Sequence, residues 1–321
     1  MIRQAPILLT LALGLAASAA RAQTWPSKPI RIIVAYAPGG AHDVYARILA
    51  QKLTERLAVQ VFVENRAGAG GALGTGELAK AAPDGHTIGT GGIGQYTVIP
   101  AITPGLAWDP IRDFTHIAYL GGPPTALIVN PALGANSWTE FTALAKAPPR
   151  ALPFGSPGPA THGHLIGEFV ARQAGLKLEH VPYKGAGQAM TDLVAGHVKI
   201  GFMTMQSAIP HAKSNALAVL AVSSARRTPD LPDAPTFKEL GVDLVSITWF
   251  VISGPAKLPA PIVDRLNAEI AAVWASPDMQ ARNDRDGVEY APMTPQALTR
   301  MIGEEAKRWG VIAKSAGVVM Q

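Results

Sequence analysis

Apolar positions along this chain alternate between two periods. Ile30, Ile32, Ile33 and Val34 form a short β-branched run of the kind shown by a strand buried on both faces, and Pro38-Gly39-Gly40 stops it. Val44, Ile48, Leu49, Leu53 and Leu57 then recur at helical spacing. The pattern repeats: a strand from Val59 to Val63, a glycine-rich loop from Glu64 to Gly71, an alanine-rich helix to about Ala82, and a strand from His86 to Thr90 opening onto Gly91-Gly92-Ile93-Gly94-Gln95. This β-α-β-α-β order predicts a mostly parallel, doubly wound sheet with right-handed crossovers, whose loops after the strand C-termini converge on one edge.

A second copy of the opening pattern follows the strand pair predicted between Ile117 and Val129. Leu152 to Phe154 reads as a strand, Gly155 to Ala160 as a small-residue turn, and Thr161 as the cap of a helix carrying Leu165, Ile166, Phe169 and Val170 up to Gly175. Further strands are predicted at His180–Tyr183, Ile200–Thr204 and Ala216–Val222, and Pro229 to Pro235 is a proline-rich linker. Leu244 to Ser253 reads as a strand and is followed by two helices, one lined by Ile262, Leu266, Ile270 and Val273, the other started by Thr294-Pro295. Roughly 300 residues are long for one core, which predicts two lobes. The α/β class with a two-lobed arrangement divides as residues 23–122 with 244–321, and 123–243.

The first residues change the picture of where the chain works. Arg3, an apolar run from Pro6 to Ala17 and the small-x-small site Ala20-Arg21-Ala22 make a secretory signal peptide over residues 1–22, cleaved after Ala22, so an exported, periplasmic protein is expected. The formal net charge is +5; without Arg3 and Arg21 the 28 basic residues become 26 against 23 acidic ones, or +3. That mild excess with no basic cluster argues against a nucleic-acid partner. The sequence has no cysteine, which excludes disulfides, thiol nucleophiles and cysteine-held metals.

Each strand-turn-helix unit aims unpartnered helix-opening amides, at the positive end of the helix dipole, toward one point suited to an anion. In the first unit the donors are Gly39, Gly40 and Ala41; in the second, where Pro157 and Pro159 lack N–H groups, they are Gly158, Ala160 and Thr161 with the Ser156 hydroxyl. Competing chemistry is weaker. Gly89-x-Gly91-x-x-Gly94 has the dinucleotide spacing, but Pro100 and Pro104 truncate the helix it needs. His162 and His164 alternate on a helix and share no face, so neither a metal nor a cofactor is expected. Ser156 lacks the nucleophile-elbow spacing, and an exported α/β hydrolase or esterase using it is the alternative to a non-enzymatic binder.

W-P-S-K-P-I-R-I-I-V from Trp25, P-G-G-A-H-D at Pro38, E-N-R-A-G-A-G-G at Glu64, P-D-G-H-T at Pro83, F-G-S-P-G-P-A-T-H-G-H-L at Phe154 and V-P-Y-K-G at Val181 resemble the Bug family. These are the TctC-like extracytoplasmic solute receptors of tripartite tricarboxylate transporters. The resemblance implies a monomeric Venus-flytrap protein holding a small carboxylate between its lobes. Its partners would be membrane permease subunits or a sensor kinase. It places one carboxylate at Pro38, Gly39, Gly40 and Ala41, with Tyr36 and His42 beside it and Asp43 shaping the helix entry, and puts Ser156, Gly158, Ala160 and Thr161 opposite. The ligand is open among amino-acid, aromatic and citrate-like carboxylates; His42, Gln95 and residues 204–207 are the selectivity candidates.

Overall fold

The computed structural model describes residues 25–146, 149–288 and 290–315; the signal peptide expected over residues 1–22 and its expected cleavage site lie outside the described residues. In chain order the elements are β1 (Ile30–Val34), α1 (Ala41–Leu57), β2 (Val61–Asn65), α2 (Ala72–Ala79), β3 (Thr87–Gly92), α3 (Ile99–Ile102), β4 (Phe114–Gly121) and β5 (Thr125–Val129). There follow α4 (Trp138–Lys146), β6 (Leu152–Ser156), α5 (His162–Ala174), β7 (Leu178–Pro182), α6 (Ala186–Ala195), β8 (Ile200–Thr204), α7 (Met205–Lys213) and β9 (Ala218–Val222). The chain ends with β10 (Phe250–Pro255), α8 (Ala260–Trp274), α9 (Pro277–Asp286) and α10 (Pro295–Ser315).

Two five-stranded sheets have the same plan. One is ordered β2-β1-β3-β10-β4 and the other β7-β6-β8-β5-β9. β1 pairs in parallel with β2 and β3, and β6 with β7 and β8, while β10 and β5 each run antiparallel to both of their neighbours. The reversed strand in each sheet is the one that has just crossed from the other lobe. β1 and β6 are interior strands flanked by parallel partners, which is why Ile30, Ile32, Ile33, Val34 and Phe154 are buried.

The helices close these sheets with the faces their sequences provide. Tyr45, Leu49 and Leu53 of α1 pack with Ile32, Phe250 and Trp274 in one cluster. Ala189, Met190 and Leu193 of α6 pack with Ile128 and Met203 in the second lobe. α10 lies on β4 and α3, and its Trp309 meets the His162 ring edge-on, centroids 5.5 Å apart, from across the lobe boundary.

Two details depart from the sequence reading. The strand predicted from Leu244 begins only at Phe250, because residues 244–249 cross between lobes beside the outgoing 122–124 segment; Ile247 bridges Pro124, and a Cβ on Gly122 would stand 1.9 Å from the Thr248 carbonyl oxygen. A helix over Pro277–Asp286 was not predicted, its sequence being too polar to show an apolar stripe.

Candidate ligand-binding cleft

The C-terminal ends of both sheets' parallel strands open onto one cleft between the lobes. Its free space is about 560 Å³, mouth included. Tyr36, Gly40, Ala41, His42, Gln95 and Phe250 line it from one side; Pro157, Thr161, His162, Gly163, Ala186 and Thr204 line it from the other. No charged side chain lines it among the described residues. Beside the cleft the lobes come together at turns, among them two close approaches: the Ala37 amide donates to the Lys184 carbonyl at 3.1 Å, and Gly94 packs against the Ala160 carbonyl so closely that a Cβ would lie 3.1 Å from its oxygen.

On the β1 side, the turn is built around Asp43. Its carboxylate accepts from the Gly39 amide at 3.1 Å, from Arg47 Nε at 3.0 Å and from Asn65 Nδ2 at 3.0 Å, and Asn65 also donates to the Tyr36 carbonyl. Burial alone would raise this carboxyl, but the hydrogen bonds from Arg47, Gly39 and Asn65 outweigh it and hold it below the usual carboxylate range. Gly39 sits at φ +91, where a side chain would be strained, so Pro38-Gly39 can turn sharply into the helix. Asp43 thus takes the Gly39 donor, and the amides left to face the cleft are those of Gly40, Ala41 and His42, at the opening of a helix with no side-chain cap.

The β6 side satisfies itself differently. Ser156 Oγ accepts from the Gly158 amide at 3.2 Å, donates to the Gly158 carbonyl and lies 2.6 Å from His180 Nε2. The Ala160 amide donates to His164 Nδ1 at 3.2 Å, and the Thr161 amide to the Gly158 carbonyl at 3.4 Å. Thr161 caps α5 as its sequence suggested, accepting from the His164 amide. The donors expected from Gly158, Ala160 and Thr161 are therefore committed within the turn, and Ser156, Gly158 and Ala160 do not line the cleft. The helix-opening amides that reach it are two or three residues later, at His162 and Gly163.

The polar side chains of the cleft are neutral. His42 is pushed down to about 3 by desolvation, as is His162, with Arg308 adding to the effect there. Both His162 nitrogens are taken, Nδ1 by Thr125 Oγ1 and Nε2 by Ser246 Oγ, each at 2.8 Å. His42 Nδ1 and both amide atoms of Gln95 are buried with no partner among the described residues. Burial raises the Tyr36 hydroxyl above its ordinary value, so it stays protonated.

Of the sequence candidates, Tyr36, Gly40, Ala41, His42, Gln95 and Thr161 come together at the cleft, along with Thr204 from the 204–207 region. Pro38, Gly39 and Asp43 shape the turn behind it. His162, Gly163, Ala186, Thr248 and Phe250 were missed. The first two follow directly from counting helix-opening positions after the Thr161 cap; Thr248 and Phe250 come from a crossing segment that no local pattern ties to the cleft. His162 and His164 do not converge on a common point, and no group of three or more His, Cys, Asp or Glu fit to hold a metal is found among the described residues. Ser156 and His180 stand at nucleophile-to-base distance, yet Ser156 is fully buried and outside the cleft.

The model of the tripartite tricarboxylate transporter family receptor matches residues 45–318. The chain belongs to that family. Among relatives of this receptor, Protein BugT of Bordetella pertussis is 32% identical over 302 residues, covering 94% of this chain and 93% of BugT. The periplasmic binding protein BugD superposes with a TM-score of 0.87 at 29% identity, covering 92% of this chain and 100% of BugD. The R. palustris protein Rpa4515 with adipate superposes with a TM-score of 0.88 at 29% identity, covering 92% and 99%. The receptor fold of this chain is the two-lobed periplasmic-binding-protein fold.

Proposed function

We propose that this receptor is exported to the periplasm, closes its lobes on a small carboxylate and delivers it to the permease subunits of a tripartite tricarboxylate-type transporter. One observation carries the reading: two long helices, one per lobe, open onto the same cleft with Gly40, Ala41 and His42 facing His162 and Gly163. Amides fixed in this way need no reorganisation to receive an anion, and the dipoles of both helices favour negative charge there. Tyr36, Gln95 and Thr161 contact the ligand directly in this reading, while Pro38, Gly39 and Asp43 hold the turn. The adipate held by the structural relative supports a carboxylate as the ligand class. No covalent step is needed.

Charge-assisted hydrogen bonds contribute about 1.5–3 kcal/mol each. Three or four of them, after the costs of ordering and closure, leave room for a micromolar Kd, about −8 kcal/mol. The test is thermal unfolding of the chain from residue 23 with a panel of mono-, di- and tricarboxylates. A ligand at a hundredfold excess over Kd adds about 2.7 kcal/mol, which raises Tm by roughly 4–10 °C for a protein of this size. Folded protein that responds to no carboxylate in a broad panel would remove the reading.

A further inference from the structure

Two turns, one from each lobe, lie backbone against backbone beside the cleft. The Ala37 amide donates to the Lys184 carbonyl at 3.1 Å. Next to that bond, a Cβ on Gly185 would stand 3.3 Å from Ala37 Cβ, and a Cβ on Gly187 would stand 2.8 Å from the Pro38 carbonyl oxygen. In return, Cβ atoms on Gly39 and Gly40 would stand 3.7 Å from Gly187 Cα and 3.5 Å from Ala186 Cβ. The turns can approach this closely because glycine at 187 leaves no side chain between them.

Each turn is held by its own lobe. Asp43 and Asn65 fix the first. In the second, the Tyr183 amide donates to the Ser156 carbonyl at 3.3 Å and the Tyr183 hydroxyl to Asp192 of α6 at 2.9 Å. The chain passes between lobes from β4 to β5 and from β9 to β10, all on one side of the two sheets, whereas the seam follows β1 and β7, and β7 is the edge strand on the opposite side. Rotation of the lobes about the crossings therefore parts these two turns and breaks the hydrogen bond between them. Ala37, Lys184, Gly185 and Gly187 do not line the cleft, so the seam forms in the same way around any ligand.

Resting on the receptor reading above, we propose that the seam between residues 37–39 and 184–187 is a closing latch, which stabilises the closed receptor to the same extent whichever carboxylate it holds. The affinity of this receptor is then set in part by backbone groups that never touch the ligand, and Gly187 is the position on which their contact depends.

The test is a wedge. Gly187 lies in the first turn of α6, where alanine is the better helix former, so Gly187→Ala does not loosen the second lobe, while its methyl group meets the Pro38 carbonyl only when the lobes close. Calorimetric titration with the carboxylates that stabilise the unmodified chain shows each of them weakened at least about tenfold, with the ratios of affinity between them kept within about threefold. Gly187→Val weakens them further. Because the sequence has no cysteine, Gln51→Cys with Val194→Cys places one spin label on an exposed position of each lobe. With saturating carboxylate the distance between the labels is longer in Gly187→Ala than in the chain that keeps Gly187. If Gly187→Ala does not fold, Ala37→Val drives the wedge from the first lobe against Gly185 and carries the same comparison. Unchanged affinity and label distance overturn the latch while leaving the receptor reading standing. Ratios of affinity that change more than threefold also overturn it, because Gly187 would then be reading the ligand. Absence of carboxylate binding by the folded, unmodified chain overturns the receptor reading and the latch with it.

Discussion

The β1–α1 and β6–α5 turns occupy the same place in two sheets of the same strand order, yet they organise their donors in opposite ways. The first is short and held from outside the turn, by a carboxylate one helical turn along and by Asn65 at the end of β2. The second is longer and holds itself, with Ser156, Thr161 and His164 absorbing its amides. Both end in the same condition, a helix whose first amides face the cleft. A helix opening onto the cleft is thus fixed by the register of the helix start, while the loop before it is free to vary in length, proline content and internal bonding.

The sharpest way to break this comparison is to add one methyl group to each opening. A Cβ on Gly163 would lie 2.2 Å from the Phe202 carbonyl oxygen and 3.1 Å from Pro157 Cδ, so Gly163→Ala should cost about 3 kcal/mol through forced backbone movement. A Cβ on Gly40 meets Ala186 Cβ at an ordinary 3.5 Å, and Gly40→Ala should cost under about 1 kcal/mol, the loss of a favoured N-cap. Urea unfolding of both variants gives the two numbers. Equal losses would mean that the lobes do not differ in how tightly the opening is enclosed.

The next contrast is between the two anchors. Asp43→Ala removes a buried acceptor serving three donors and releases Gly39, so it should lower stability by about 2–3 kcal/mol and weaken carboxylate binding with it. Thr161→Ala removes one cap bond and should cost about 1 kcal/mol. Chemical denaturation ranks them; a Thr161 loss larger than the Asp43 loss would show that the second turn, not the first, depends on a single side chain.

Much of this was legible in the sequence. The β-branched runs, the Pro-Gly-Gly stop and the Thr161 cap locate both strand-turn-helix units, because each feature is set by residues within a few positions of one another. The commitments of the Gly158 and Ala160 amides were not legible. They depend on His164, whose role as acceptor requires its ring to fold back over the turn, and on Ser156, which His180 from the neighbouring strand β7 fixes in place. Cleft residues Thr248 and Phe250 were hidden for a related reason, since a strand returning from the other lobe meets the site through topology alone. The spacing of Ser137 and Glu140 at the start of α4 suggests a capping box, and the structure forms half of it: Ser137 Oγ accepts from the Glu140 amide, but Glu140 accepts from the Asn136 amide rather than from that of Ser137.

Acid sharpens the same contrast. His116 in the first lobe lies between Ser253 Oγ at 2.9 Å and the Pro110 carbonyl at 2.8 Å, and desolvation pushes it down to about 4. His180 in the second lobe is pushed down to about 3 by burial and by His164, whose ring stacks on it at 3.6 Å. Both pKa values are depressed on folding. Above pH 6.5 both groups are neutral in the folded and unfolded chain, and their contribution is fully present. As pH falls from 6.5 toward 4 the unfolded chain takes up protons that the folded one refuses, and stability drops by about 1.4 kcal/mol per pH unit for His116. His116→Gln should remove that part of the slope in urea midpoints taken from pH 7 to 4.5. An unchanged slope would place the acid sensitivity in the other depressed histidines, His42, His162 and His180.

The smallest expected effect separates binding from catalysis. Ser156 and His180 stand at a distance that a nucleophile and its base would use, but the hydroxyl is buried, spent on the Gly158 carbonyl and outside the lining of the cleft between the lobes. Ser156→Ala should therefore loosen the second turn by about 1 kcal/mol, leave carboxylate affinity within about twofold, and change no ester-hydrolysis signal, because the serine acts only on the conformation of Gly158. Ester turnover by the unmodified chain that vanishes in Ser156→Ala would reverse this assignment. It would mean that the second lobe opens far enough to expose a residue that its closed turn keeps wholly inside, and the two turns would then differ in function as well as in how they are held.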